Sequence, residues 1–250
     1  MSEAPPPEPS LLPHPPAAHL HARIVPWRHA FAWYEEAMRL WKQAPIPWAL
    51  LALLTLASEL GLQAVPTVGP VLGKIVTPLV ACGMVLAAAV ADRGRRPSLR
   101  LAAAAFRARG TAIAAIVTAS FVTFAAEGYA AWWVADANLF APGPDALELS
   151  NTAIFGIYAI GVLASLPVGF VPFHVLLEKT GFGEAFAASW NAFVLNTGPL
   201  LVYAAASMLL LGIGVMTMGV ALVVVLPLWT ASSYAAWKDI FGVRDAPVEA

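Results

Sequence analysis

The sequence predicts an all-α fold: a polytopic helical membrane bundle of six transmembrane helices, with two or three interfacial amphipathic helices. The first observation behind this prediction is composition, because the 250 residues are 60% hydrophobic and only 12% charged. Soluble domains carry about 25% charged residues. The second is charge placement, since a single membrane topology puts thirteen of the fourteen Lys and Arg residues, all except Lys74, on the same side of the membrane.

The chain is expected to divide into three parts. Residues 1–26 hold eight prolines and too few apolar residues to offset the entropy of ordering, so they are predicted to form a disordered, Pro-rich cytoplasmic tail. They also lack the apolar core of a signal peptide, so we expect the first span to direct insertion. Residues 27–243 form the predicted six-span membrane domain, and 244–250 a short cytoplasmic tail.

The segment 27–43 has the pattern of an amphipathic helix. Large apolar side chains recur on one face, at Trp27, Phe31, Tyr34, Met38 and Trp41. Such a helix either lies in the membrane interface or packs on protein. The interface is favoured because an apolar span follows at once.

Long apolar runs predict the six spans, since about 20 residues are needed to cross the hydrocarbon core. The runs are 47–65, 68–90, 111–134, 153–176 and 200–236, and the last holds both the fifth and the sixth span, broken near 212–219. That last run also fits one long tilted helix. If the run makes two crossings, Lys238 and Arg244 lie in the cytoplasm.

The loops between the spans differ in charge. Residues 91–110 carry six arginines, whereas 135–151 carry three acidic residues and no Lys or Arg. Because positive charge stays in the cytoplasm, the first loop is predicted to lie inside and the second outside. Both termini are then cytoplasmic.

A threefold internal repeat is also predicted. The stretches 27–43, 98–109 and 183–196 each precede a membrane hairpin. The second span of each hairpin contains a proline, at Pro78, Pro167 and Pro227. Proline inside a helix removes a hydrogen bond and kinks it, so each return helix is expected to bend.

Three ionisable residues within the spans form the candidate intramembrane polar site: Glu59, Lys74 and Glu127. Glu59 and Lys74 flank the first hairpin turn about equally, so both lie roughly 11 Å below it. Glu127 lies at a similar depth. In one interpretation, the three residues line an outward-facing polar cavity or bind a lipid headgroup. In the other, Glu59 and Lys74 form a structural ion pair and Glu127 only reaches the outer interface. His174 is expected to contact interfacial water or a backbone carbonyl.

The cytoplasmic arginines are candidates for contact with anionic lipid. They are Arg93, Arg95, Arg96, Arg100, Arg107 and Arg109. Each would contribute about 1 kcal/mol near an anionic surface. The alternative is that they only hold the loop inside.

Three motifs resemble an uncharacterised family of bacterial multi-span inner-membrane proteins, a domain of unknown function. They are 92–99 (DRGRRPSL), 199–203 (PLLVY) and 233–242 (SYAAWKDIFG). The family is distantly similar to the membrane domain of glycerophosphoryl diester phosphodiesterases. The resemblance covers about residues 27–243. It implies a helical inner-membrane fold and no activity, and the chain has no room for the phosphodiesterase catalytic domain.

The expected function is a non-enzymatic module that binds membrane lipid or a membrane protein partner. The alternatives are a small transporter or channel using the polar site, and a membrane enzyme. Catalytic and nucleotide-binding motifs are missing, so we predict no enzyme, no cofactor and no metal. Nucleic acid is excluded as a partner, because the basic residues border apolar spans and form no continuous basic face.

Overall fold

The computed structural model describes residues 21–65, 68–136 and 149–243, and all regular structure within them is helical. The α-helices are α1 (His29–Gln43), α2 (Pro45–Gln63), α3 (Gly69–Asp92), α4 (Gly110–Ala135), α5 (Asn151–Ser165), α6 (Val171–Phe173), α7 (Phe182–Leu195), α8 (Thr197–Met216) and α9 (Leu222–Phe241). Two 3-10 helices, Leu99–Ala103 and Ala105–Arg107, connect α3 to α4. A π-helix, His174–Glu178, continues α6.

Four helical segments of the described chain are long and apolar enough to cross a membrane. They are Pro45–Gln63, Val71–Asp92, Gly110–Val134 and Thr197–Met216. α5 is apolar but shorter, at 15 residues. These lengths and compositions indicate a helical membrane protein.

Two predicted helical runs differ in the structure. The run 153–176 is not one helix, because α5 ends at Ser165 and the chain turns before α6 begins. Pro167 has no N–H to continue the helix, so the predicted kink is a break. The stretch 98–109 forms the two short 3-10 helices rather than an α-helix.

The run 200–236 contains two helices, so the alternative of one long helix is wrong. The chain turns between α8 and α9, where Met218 and Gly219 have positive φ angles of 51° and 87°. Gly219 adopts this left-handed conformation without the steric penalty of a Cβ atom. The turn lies at the C-terminal edge of the predicted break.

Each long helix of the bundle packs against the next, and α9 returns to contact α2. α2 and α3 form one antiparallel hairpin, and α4 packs along α5. Contacts between hairpins join α3 to α4, α5 to α8, and α9 back to α2. The core between them holds the fully buried indoles of Trp48 and Trp237.

α1 packs lengthwise on α9 through one face of small and apolar residues. Its buried residues are Ala30, Trp33, Ala37 and Leu40. Phe31 and Met38 stay exposed on the other side. One helix therefore packs on protein and also presents apolar side chains outward. Its position in the membrane interface stays a prediction.

The folded part of the chain begins before the predicted boundary at residue 27. The Arg23 amide donates to the Ile240 carbonyl at 2.8 Å. Asn196 holds the next residues, since its Nδ2 donates to the Arg23 carbonyl at 3.0 Å and its Oδ1 accepts from the Val25 amide at 2.8 Å. These contacts correct the tail prediction for residues 23–25. The predicted tails 1–20 and 244–250, and the hairpin turn at 66–67, lie outside the described residues.

Candidate functional site

The first hairpin brings Glu59 and Lys74 together. Lys74 Nζ donates to Glu59 Oε1 at 3.0 Å, and Gln63 Nε2 donates to the same oxygen at 2.7 Å. About a quarter or less of each charged side chain is exposed, 25% for Glu59 and 21% for Lys74. The geometry is that of a paired charge on adjacent antiparallel helices, at matching distances from the turn.

Glu127 lies near this pair but is not bonded to it. The Lys74 ammonium sits 4.7 Å from the centre of the Phe124 ring, and Glu127 follows Phe124 by one helical turn on α4. Within the described residues, the Glu127 carboxylate has neither a hydrogen bond nor an ion pair. The three predicted residues thus converge as one bonded pair and one carboxylate that has no partner in the described part of the chain.

The Glu127 carboxylate lines a pocket of about 120 Å³ between α4, α5, α8 and α9. The lining residues are Thr123, Glu127, Tyr158, Gly161, Val162, Ser165, Leu211 and Trp229. Gly161 makes room for the carboxylate, since a Cβ atom there would lie 2.4 Å from Glu127 Oε1. The sequence pattern does not reveal Tyr158, Ser165 or Trp229, because each looks like an ordinary residue of an apolar helix.

The six predicted lipid-contact arginines are all exposed. They are Arg93, Arg95, Arg96, Arg100, Arg107 and Arg109, called the arginine surface below. Within the described residues, none of them forms an ion pair with an acidic side chain. Leu99 and Phe106 lie among them with 46% and 44% of their surface exposed. The surface therefore combines unneutralised positive charge with two outward apolar side chains.

The arginine surface is fixed to the bundle by close packing. Ala102 and Ala105 of the 3-10 helices are buried. Gly83 of α3 allows this approach, because a Cβ atom there would lie 2.6 Å from the Ala102 Cα. Arg100 and Arg107 are consequently carried on short helices packed against α3, and the other four arginines lie just before or after these helices.

His174 has a different partner from the predicted water or carbonyl. Its Nδ1 lies 2.7 Å from Glu178 Oε2, and both side chains are fully buried. The pair lies on the π-helix, with the Phe241 ring 4.4 Å from the imidazole centre. His174 Nε2, Glu178 Oε1 and the Thr180 hydroxyl are buried and have no partner among the described residues. A spacing of four residues on one helix brings the two groups together, but the sequence does not indicate that both are buried.

Two further carboxylates tie helices together near the ends of α3 and α9. Asp92 accepts from Arg39 at 3.2 Å and from the Tyr234 hydroxyl at 3.0 Å, and it also pairs with Lys238. These contacts join α1, α3 and α9.

Asp239 holds the N-terminal segment and α1 against α9. It accepts from Trp33 Nε1 at 3.0 Å and from the Arg23 guanidinium at 2.6 Å, and His29 Nδ1 lies 2.7 Å away. Burial opposes its charge, but the hydrogen bonds from Trp33, His29 and Arg23 outweigh burial and hold the pKa of Asp239 below its usual range. The residue lies beyond Ala236, where the apolar run ends.

Comparison with known proteins leaves the function to be argued from this geometry. The chain matched no protein-family model, and searches of curated proteins and of solved structures found no match. Within the described residues, no group of three His, Cys, Asp or Glu side chains could hold a metal ion.

Proposed function

We propose that this chain is an integral protein of the bacterial inner membrane that binds anionic lipid through its arginine surface and catalyses no reaction. The observation that carries the proposal is the set of arginines beside the exposed Leu99 and Phe106, none of which pairs with an acidic side chain in the ranges that the structure describes. Basic side chains attract anionic headgroups, and neighbouring apolar side chains enter the boundary between headgroups and acyl chains. A loop needed only for topology requires the charge but not the exposed apolar residues.

The proposed topology has six crossings and two cytoplasmic termini. α2, α3, α4 and α8 supply four membrane-length helices. The fourth crossing would combine α5 with α6 and the π-helix, and the apolar part of α9, which ends at Ala236, would supply the sixth. The arginine surface then lies on the cytoplasmic side, where anionic lipid attracts basic segments.

The proposed architecture is a ring of three units related by an internal repeat. The units are α1–α3, the 3-10 helices through the π-helix, and α7–α9. Support comes from their contacts: α1 packs on α9, Leu99–Ala103 packs on α3, and α7 packs on α6 and the π-helix. In each case the first element of a unit contacts the return segment of the unit before it in cyclic order.

A small transporter or channel is the second candidate function. The pocket at Glu127 and the break between α5 and α6 favour it, because transporter sites often lie at interrupted helices. Uptake of a solute into liposomes containing the protein, abolished by Glu127→Gln, would favour transport over lipid binding. A membrane protein partner remains the alternative ligand for the exposed apolar surface.

The lipid proposal can be tested with the full chain in nanodiscs containing phosphatidylglycerol and phosphatidylcholine. Native mass spectrometry would compare lipid retention by the wild type and by the triple variant Arg95→Gln, Arg96→Gln, Arg100→Gln. At about 1 kcal/mol for each arginine, the triple variant should lose roughly a hundredfold in preference for phosphatidylglycerol. Arg28→Gln serves as a control outside the arginine surface. Equal retention by the wild type and the triple variant would contradict the proposal.

Topology can be tested by thiol labelling, because Cys82 is the only cysteine and is buried. A membrane-impermeant maleimide applied to spheroplasts should label Trp133→Cys, which is at an exposed position, and should not label Arg95→Cys. Breaking the membrane should make both thiols reactive. The reverse pattern in spheroplasts would overturn the proposed orientation.

A further inference from the structure

We propose that the pocket beside Glu127 binds a primary ammonium group, carried either by a lipid headgroup or by a small amine. This site is separate from the arginine surface, which attracts the opposite charge. The proposal therefore stands or fails independently of the lipid binding proposed above. It commits to a ligand that carries both positive charge and N–H donors.

The charge of the pocket comes from Glu127. Its carboxylate lines the pocket and has no bonded partner within the described residues. The nearest described cation that could compensate it is Lys74, whose ammonium is engaged by Glu59 at 3.0 Å and by the Phe124 ring. In a largely apolar environment, a charged carboxylate is stabilised most strongly by a cation that is hydrogen-bonded to it directly.

Two hydroxyls of the pocket, those of Thr123 and Ser165, are also acceptors. Thr123 Oγ1 donates its hydrogen to the Ala119 carbonyl at 3.4 Å, and Ser165 Oγ donates to the Val162 carbonyl at 2.7 Å. A hydroxyl has only one hydrogen to donate, so each of these oxygens can still accept hydrogen bonds through its lone pairs. Together with the carboxylate, these oxygens offer acceptors to a ligand. An ammonium group supplies three donors and no acceptor, which matches this arrangement.

The remaining lining suits the same ligand. Tyr158 and Trp229 contribute aromatic rings to the wall, and aromatic faces attract organic cations. The pocket volume of about 120 Å³ accommodates an ammonium group with a short carbon chain. Tyr158 is 46% exposed, so the pocket wall reaches the outer surface of the bundle, where a lipid headgroup could enter.

The experiment uses phosphatidylethanolamine and phosphatidylcholine with identical acyl chains. Both headgroups have no net charge, but only phosphatidylethanolamine has N–H donors on its nitrogen. The full-length protein would be titrated with each lipid in detergent and examined by native mass spectrometry. We expect about a tenfold preference for phosphatidylethanolamine, as one charge-assisted hydrogen bond supplies.

Glu127→Gln should abolish this preference, whereas Glu35→Gln, on the exposed side of α1, should leave it unchanged. Circular dichroism of both variants would verify that the helices are intact. If Glu127→Gln does not fold, Ser165→Ala provides a second variant, and it should weaken the preference because it removes one acceptor for an N–H group. Equal binding of the two lipids by the wild type would overturn the proposal, and so would a preference that survives Glu127→Gln.

A third arm identifies the source of the amine. Free ethanolamine is added to protein loaded with phosphatidylethanolamine, and lipid displacement is measured. Displacement at millimolar concentration, together with thermal stabilisation by ethanolamine alone, would identify a small soluble amine as a ligand. Phosphatidylethanolamine binding that resists ethanolamine would identify the lipid headgroup. Phosphatidylglycerol binding in the same samples reports the arginine surface separately, so failure of one site does not obscure the other.

Discussion

Glu127 on α4 fills the space that a side chain at Gly161 on α5 would occupy. A Cβ atom built on Gly161 would lie 2.4 Å from Glu127 Oε1 and 2.7 Å from its Cγ. Glycine inside a helix costs roughly 0.5–1 kcal/mol relative to alanine. At this position the missing side chain lets a carboxylate lie between two packed helices, which gives the pocket its charge.

Gly161→Ala should displace the Glu127 carboxylate without removing its charge. The added methyl group should lower the free energy of unfolding by about 1–3 kcal/mol, because neighbouring atoms must shift. It should also reduce the preference for phosphatidylethanolamine. The measurements are the thermal unfolding midpoint in detergent and the lipid titration.

Gly156→Ala on the same helix is the matched control, since nothing lies within 4 Å of a Cβ atom there. It should leave stability unchanged or slightly raise it. An equal effect of the two substitutions would show that the contact with Glu127 is not responsible.

Glu59 and Lys74 should behave as an energetically coupled pair. Glu59→Gln and Lys74→Met are each expected to lower stability, because each leaves a charged group beside a neutral side chain in a largely buried position. The double variant should lose less than the sum of the two single losses, by about 0.5–3 kcal/mol. Unfolding midpoints of the four proteins measure this coupling. Additive losses would mean that the pair does not interact.

Asp239 should make the protein sensitive to acid. Its folded pKa is lowered by hydrogen bonds that outweigh its burial, so its contribution to stability is present above the unfolded pKa of about 3.9. That contribution is lost as pH falls through the lower folded pKa. Asp239→Asn should therefore be less stable than the wild type at pH 7, and the difference should shrink below about pH 4.

The measurement is the unfolding midpoint of both proteins from pH 7 downwards, at fixed detergent and salt concentrations. Glu35→Asn provides a control for the loss of an exposed carboxylate. A difference between the wild type and Asp239→Asn that does not change with pH would contradict the assignment.

His174 and Glu178 should be more costly to change singly than together. Glu178→Leu leaves His174 Nδ1 without its partner in a fully buried site, which costs about 1–3 kcal/mol. Replacing both residues by leucine removes both polar groups and should recover part of this loss. Unfolding midpoints of the single and double variants provide the test. If the double variant is less stable than either single variant, the pair contributes more to stability than the hydrogen bond that each group provides for the other.

The sequence predicts the helical spans and the proximity of Glu59 and Lys74, because both follow from local quantities. Apolar run length marks a span, and equal distance from a turn places two residues at equal depth. After Ser165 the sequence predicts a kink and the structure has a break, because a proline inside an apolar run is compatible with either outcome. The pocket depends on which faces of α4, α5, α8 and α9 meet, and no local pattern encodes that.

The contacts of Arg23 with α9 have a consequence for biosynthesis. Arg23 and Asp239 are separated by 216 residues, yet they are bonded in the folded protein. The N-terminal segment leaves the ribosome early, but Asp239 and the Ile240 carbonyl, which bind Arg23, belong to α9 and are made much later. Closure of the bundle is therefore a late, long-range event, and contacts of this kind form slowly. A chain truncated before α9 would lack the surface against which Trp33 and Leu40 are buried, so apolar side chains of α1 would stay exposed until α9 is present.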